Sequence, residues 1–153
     1  MMNQVLSGGT SSRINKTIVE KEQMATYAGS FNYALEDAGL GIFLAIASKD
    51  IALDAIQTEF DAQIEKIKSE LISDEEFQKI RTSIETGIVG MNSTVAGIAE
   101  NLANNHVYFG SAEVTNDILD KYLNVTKEDI QRVAQNYLIQ DQRVILHYLP
   151  KEK

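Results

Sequence analysis

Two histidines, His106 and His147, are the side chains best suited to hold a metal ion, because the chain contains no cysteine. A catalytic zinc site normally takes three protein ligands, and two of them commonly lie one helical turn apart. No second histidine lies four residues from His106, and His147 comes 41 residues later in an alternating segment. We therefore predict no metal site, with His106 at the surface and His147 on a strand.

Acidic and hydroxyl side chains are numerous but lack a catalytic arrangement. Asp74-Glu75-Glu76 and Glu128-Asp129 fall in first helical turns, where carboxylates complement the helix dipole. Ser11 and Ser12 lack the glycine-flanked turn that exposes a nucleophilic serine. The stretch Gly8-Gly9-Thr10-Ser11-Ser12 also lacks the Gly-Lys-Ser/Thr ending of a phosphate-binding loop. The residues thus predict no catalytic group and no cofactor in this chain.

Charge and hydropathy exclude several classes of partner. The net charge is −8 without a Lys/Arg cluster, so a nucleic acid or an anionic membrane surface would be repelled. The longest apolar run, Leu40 to Ala47, is far shorter than the roughly 20 residues that span a bilayer. The first residues lack the features of a secretory signal. The sequence leaves the compartment undetermined between periplasm and cytoplasm, and any export signal is expected upstream of this chain.

Two long helices dominate the pattern. The first is predicted to begin at Asp50, and its apolar residues follow a helical period: Leu53, Ile56, Phe60, Ile64, Ile67 and Leu71. Ser73 and Glu76 have the spacing of a capping box for the second helix, which continues to Leu102. Three glycines interrupt this second helix: Gly87, Gly90 and Gly97. We therefore expect a bend near residues 87–93 or a close helix–helix contact there.

Two shorter helices follow, at about residues 111–123 and 126–138. The second of them is announced by Thr126 as its N-cap, with Asp129 three residues later. Its inward-facing residues are predicted to be Ile130, Val133, Ala134, Tyr137 and Leu138.

The opening of the chain is predicted to be a helical corner. Residues 2–7 have the pattern of the end of a helix, which Gly8-Gly9 terminates. Thr10, Ser11 or Ser12 then caps another helix that runs to about Glu22. Because the chain opens within a helix, we expect residues 1–153 to form a single partial domain.

Three strands are predicted. Residues 24–35 alternate aromatic with small or polar side chains, and we expect the aromatic side chains to pack into the core. Glu36 to Gly39 form a turn, and Leu40 to Ala47 are apolar on both faces, which is typical of a central strand. Arg143 to Leu149 form the third strand, which Pro150 terminates. The predicted fold class is α+β, with several helices packed against a small, mainly antiparallel sheet.

Four segments carry motifs in a fixed order. The first is the corner Leu6-Ser7-Gly8-Gly9-Thr10-Ser11-Ser12-Arg13, and the second is Glu36-Asp37-Ala38-Gly39-Leu40 with the apolar strand after it. The third is Ile72-Ser73-Asp74-Glu75-Glu76-Phe77, and the fourth covers residues 124–138. Together they resemble the second half of a domain of the pitrilysin/insulinase family of zinc metallopeptidases, over nearly the whole chain.

The resemblance implies a metallohydrolase-like domain of the pitrilysin/mitochondrial processing peptidase type. In this family one domain holds zinc on a His-x-x-Glu-His motif, and a partner domain contributes an Arg and a Tyr seven residues apart. The zinc motif is absent here, and the Arg position holds Val19 or Glu20, depending on the register. Only Tyr27 remains as a candidate substrate contact. The resemblance therefore implies an inactive-type, C-terminal domain.

The resemblance also implies partners. The parent protein would be a zinc metalloendopeptidase, in which zinc lies only in a homologous partner domain or subunit. This chain would form part of a peptide-binding chamber opposite that domain. Two alternatives remain open: a structural or assembly subunit, and a free-standing dimeric binding module. In the family, strands precede the Leu-x-Gly-Gly corner, and without those first strands the chain would have an exposed sheet edge, through which it would self-associate.

Overall fold

A computed structural model of the chain describes residues 1–149. Six α-helices occur in this part of the chain: α1 (Met2–Ser7), α2 (Leu53–Ser69), α3 (Asp74–Met91), α4 (Val95–Phe109), α5 (Val114–Leu123) and α6 (Lys127–Tyr137). A π-helix occupies Asn15–Lys21, and a short 3-10 helix occupies Gln140–Gln142. None of the helices described is long and apolar enough to cross a membrane. The α+β class predicted from the sequence is confirmed.

The sheet is a single hairpin of β1 (Ala25–Ala34) and β2 (Gly39–Ala47), which pair antiparallel. The N–H of Leu35 donates to the carbonyl of Ala38 at 2.8 Å and closes the predicted turn. The prediction that β2 is a central strand is wrong, because within residues 1–149 it pairs with β1 alone. In this part of the chain its other edge has no strand neighbour.

The third predicted strand, residues 143–149, is also wrong, since this segment has no strand pairing. It lies along α2 instead: the Arg143 guanidinium forms a two-pronged ion pair with Asp61, and His147 Nε2 lies 3.9 Å from Asp54 Oδ1. A strand exists only with a hydrogen-bonded neighbour, and none is present beside this segment among the residues described. Pro150 lies outside them.

The core lies where α1, the π-helix, α2 and α6 converge. Leu6, Ile14, Ile18 and Ile67 are fully buried there, and Ala134 of α6 is equally inaccessible. Burial of each such aliphatic side chain contributes about 1.5–3 kcal/mol. The predicted inward face of α6 is confirmed for Ile130 and Ala134 but wrong for Tyr137, which is exposed. Val133 is partly buried, and Leu138, directly after α6, is partly buried against the core.

The helices differ in whether a side chain caps their first turn. Ser73 and Thr126 form the predicted capping boxes with Glu76 and Asp129. Asp50 is not an N-cap, because it adopts φ 64° in a turn and α2 begins at Leu53. The π-helix likewise has no side-chain cap, and within residues 1–149 the buried Ser12 hydroxyl has no hydrogen-bond partner. The predicted caps form where a Ser or Thr N-cap has an acidic residue three positions later in the sequence.

The predicted bend in the long second helix is confirmed as a break between α3 and α4. The helix stops at Met91 and restarts at Val95, where the Thr94 hydroxyl accepts from the N–H of Gly97 at 3.0 Å. A Cβ on Gly97 would lie 2.1 Å from the carbonyl oxygen of Met91. Gly97 is thus the glycine that the break requires.

Candidate functional site

The hairpin has one covered and one open face. On the covered face Ala28 is buried, and the Phe43 ring meets the Phe60 ring of α2 edge-on with centroids 6.0 Å apart. Large apolar side chains occupy the opposite, open face, each between 46% and 64% exposed: Tyr27, Phe31, Tyr33, Leu40 and Ile46. We call these five residues the open face. An uncovered group of this kind commonly marks an interaction site.

The prediction that the aromatic side chains of β1 pack into the core is wrong, and the contact between α1 and β1 explains why. The Ser7 hydroxyl donates to the carbonyl of Ser30 at 2.7 Å and accepts from its N–H at 2.9 Å. Asn3 Nδ2 donates to Asn32 Oδ1 at 2.8 Å in the same seam. Small and polar side chains let α1 approach β1 closely, so the helices cover that face and leave the aromatic one open.

Tyr27, the one site residue predicted from the sequence, lies on the open face and is half-exposed. Its hydroxyl would lie 3.0 Å from a Cβ built on Gly29, so the ring extends along the strand over this glycine. Val19 packs against the core, whereas Glu20 is exposed on the π-helix. Neither supplies the cation expected of the Arg position. The role of Tyr27 in substrate contact stays a prediction.

The side chains present do not fit a zinc site. His106 is exposed near the end of α4, and His147 lies beside Asp54 of α2. Within residues 1–149, no group of three or more His, Asp or Glu side chains is placed to hold a metal ion. Three ligands are the usual minimum for a catalytic zinc. No chemical step can therefore be assigned to a metal held by these residues.

An ion pair joins two segments that are far apart in the sequence. The Arg13 guanidinium donates to both carboxylate oxygens of Glu76, at 2.8 and 2.9 Å. Hydrogen bonding to Arg13 lowers the pKa of Glu76, and the same bond raises the pKa of Arg13. The sequence predicts only a capping role for Glu76, so this ion pair is a finding of the structure. The structure thereby connects the N-terminal corner with the start of α3.

Comparison with known families gives one model match. The family model described as "Peptidase M16 inactive domain" matches residues 1–84. Among curated proteins, the zinc protease PqqE of Helicobacter pylori is 26% identical over 153 residues, which cover 97% of this chain and 33% of the relative. A zinc protease of Rickettsia bellii is 28% identical over 130 residues, covering 85% of this chain and 31% of the relative. The chain therefore spans about a third of the length of these relatives.

Solved structures give the same likeness. A crystal structure of a protease from Helicobacter pylori superposes with a TM-score of 0.84 at 26% identity, covering 92% of this chain and 34% of that chain. The inactive peptidase domain of a Bordetella parapertussis protein, assigned to the zinc proteases, also superposes with a TM-score of 0.84. It is 22% identical and covers 99% of this chain and 80% of that chain. At that identity the likeness shows the fold alone.

Proposed function

Since the chain belongs to the family of M16 peptidase inactive domains, which confirms the resemblance found in the sequence, we propose that it serves a zinc peptidase as a non-catalytic domain. Its role is to form one wall of a peptide-binding chamber. A homologous partner domain would hold the zinc and supply the hydrolytic chemistry. The residues of this chain bind and orient the peptide.

The open face of the hairpin is the observation that carries this proposal. Three aromatic and two aliphatic side chains lie on one side of β1 and β2, while α1 and α2 cover the other side. On such a face the side chains of each strand are spaced about 7 Å apart. An extended peptide could therefore contact them at regular intervals. The peptide would lie across β1 and β2, with Tyr27 at one end of the face.

The chemistry of the open face indicates broad rather than sequence-specific binding. Tyrosine and phenylalanine supply large contact areas at a low cost in side-chain entropy, and the tyrosine hydroxyls can exchange hydrogen bonds with peptide groups. None of the five side chains is charged. Apolar and aromatic peptide residues are therefore expected to bind well. Acidic peptide residues are expected to bind less well, because the chain carries a net charge of −8.

Fluorescence anisotropy with a labelled, permanently unfolded polypeptide tests the proposal on the 153-residue chain. We expect binding without cleavage, and Tyr27→Ala combined with Phe31→Ala should weaken it roughly tenfold or more, as expected for truncated aromatic contacts. Tyr137→Ala is the matched control, because Tyr137 is exposed on α6, away from the hairpin. No binding, or an equal loss in the control, would contradict the proposal.

Zinc content gives a second, independent test. The purified chain should hold well under one equivalent of zinc by plasma emission. Stoichiometric zinc held at submicromolar affinity would overturn the assignment to a non-catalytic domain. So would cleavage of the polypeptide that a chelator abolishes and added zinc restores.

A further inference from the structure

Gly29 leaves a gap between large side chains on the β1 half of the open face. By the two-residue period of a strand it lies between Tyr27 and Phe31 on the same side of the sheet, and its partner across the hairpin is Leu44. Tyr27 and Phe31 are each about half exposed, whereas Gly29 is buried. A neighbouring side chain must therefore cover the backbone at this glycine.

The phenol end of Tyr27 covers the gap. A Cβ built on Gly29 would lie 3.0 Å from the Tyr27 hydroxyl oxygen, 3.4 Å from Cζ and 3.7 Å from Cε1. These three atoms are the nearest to that point from outside residues 28–30. Side chains on a strand commonly stand away from the sheet. The Tyr27 ring instead lies along β1, in the direction of Phe31.

Glycine is an unfavourable residue at this position in a strand. A glycine inside a strand loses more chain entropy on folding than other residues and has no side chain to pack. Gly29 pairs regularly with Leu44 and has no positive φ, so neither a bulge nor a turn requires it. Residues that break a local preference in this way are commonly found at functional sites. The close approach of the Tyr27 ring is what a side chain here would prevent.

We propose that Gly29 is a positioning residue that fixes the Tyr27 ring in the place from which it contacts a peptide. This inference rests on the proposed function, in which Tyr27 is part of the peptide-binding face. Gly29 acts through Tyr27 by keeping free the space in which the ring lies. The contact lies within one short stretch of β1, so it depends on no other segment of the chain.

Substitutions that fill the gap test the positioning. Gly29→Ala adds one carbon 3.0 Å from the Tyr27 hydroxyl oxygen, so the ring must yield by a few tenths of an ångström. Gly29→Val adds two further methyl groups and leaves the phenol end no room. Affinity for the labelled, permanently unfolded polypeptide should fall roughly three- to tenfold with valine, and less with alanine.

Coupling between the two residues distinguishes positioning from an independent effect. Tyr27→Ala alone should weaken binding by about the same factor as Gly29→Val. Because Gly29 acts only through the ring, the variant that carries both changes should bind as well as Tyr27→Ala alone. Losses that multiply in the double variant, or an unchanged affinity in Gly29→Val, would overturn the proposal.

Gly41→Val is the matched control, because it places the same side chain on the neighbouring strand. Gly41 is an exposed glycine of β2, and a Cβ there would meet only Asn32 Oδ1, at 4.0 Å. Its affinity for the polypeptide should equal that of the natural chain. Valine favours a strand, so neither valine variant should unfold at a lower urea concentration than the natural chain. If Gly29→Val lowered the urea midpoint together with the affinity, the glycine would have a structural role only.

Fluorine NMR reports the position of the ring without a peptide. The chain has six tyrosines, and the 3-fluorotyrosine signal that disappears in Tyr27→Phe belongs to Tyr27. That signal should shift in Gly29→Val and stay in place in Gly41→Val. An unmoved signal in Gly29→Val would refute the positioning.

The two measurements separate this inference from the proposed function. If the natural chain bound no polypeptide, the proposed function would fail, whereas the fluorine signal would still show whether Gly29 fixes the ring. If Phe31→Ala weakened binding and Tyr27→Ala did not, the open face would keep its function and Gly29 would lose the role assigned to it.

Discussion

Arg13 and Glu76, 63 residues apart in the chain, meet in a two-pronged ion pair. The same carboxylate accepts from the N–H of Ser73 at 3.3 Å, and the Ser73 hydroxyl accepts from the N–H of Glu76 at 3.1 Å. One side chain thus closes the capping box of α3 and holds the N-terminal corner against that helix. The pair therefore joins the corner that follows α1 to the start of α3.

The two roles of Glu76 are separable by substitution. Glu76→Gln keeps a side chain that can cap but loses the charge, and should reduce the free energy of unfolding by about 0.5–1 kcal/mol. This estimate is low because the Glu76 side chain is 35% exposed. Glu76→Ala loses both roles and should cost about 1–2 kcal/mol. Urea denaturation measures both values, and Glu75→Gln, in the same exposed turn, is the control. Equal losses for Glu76→Gln and Glu75→Gln would show that the ion pair contributes nothing.

Stability should depend on pH through the same carboxylate. The Arg13 hydrogen bond lowers the pKa of Glu76 below its ordinary value of 4.5, so folding favours the ionised form. That contribution is complete above pH 4.5 and is lost as the pH falls through the lowered pKa of the folded state. The difference in unfolding free energy between the natural chain and Glu76→Gln should therefore shrink as the pH is lowered below 4.5. A difference that stays constant or grows on acidification would contradict this origin.

The sequence predicts the local features of this fold better than the tertiary ones. The capping boxes at Ser73 and Thr126 follow from residues three positions apart, so a single chain segment determines them. The strand predicted at residues 143–149 is absent from the structure. A strand needs a neighbouring strand to pair with, and the sequence of the segment does not specify one. The turn at residues 35–38 was predictable for the same reason as the caps.

In the candidate site, too, the local pattern is predictable from the sequence and the tertiary packing is not. Alternation along β1 correctly separated an aromatic from a small-residue face, but it does not say which face the helices cover. The small residues Ala28 and Ser30 were the available signal, since close helix packing needs short side chains. Only the family motif singles out Tyr27 as a substrate contact, because the alternation along β1 places it in the core together with Phe31 and Tyr33.

The break between α3 and α4 should tolerate no side chain at Gly97. Gly97→Ala would place a methyl group 2.1 Å from the Met91 carbonyl oxygen, so the break must rearrange at a cost of about 1–3 kcal/mol. Gly87 is the matched control, because a Cβ there meets nothing within 4 Å and the residue lies inside α3. Gly87→Ala should stabilise the chain by about 0.5–1 kcal/mol. Thermal unfolding followed by circular dichroism measures both, and the same sign for the two changes would contradict the steric argument.

Gln23, which lies between the π-helix and β1, has a backbone conformation that is unfavourable for any residue with a side chain. Its φ of 52° lies in the left-handed region, which costs a non-glycine residue about 1–2 kcal/mol. Glycine removes that cost but adds about 0.5–1 kcal/mol of chain entropy on folding, so Gln23→Gly should stabilise by roughly 0.5–1 kcal/mol. Gln23→Ala retains the strain and should give no gain, which makes it the control in chemical denaturation. If alanine stabilised as much as glycine, side-chain removal rather than the backbone would be the cause. If peptide binding also rose with Gln23→Gly, strain at this junction would be limiting the position of Tyr27, four residues along β1.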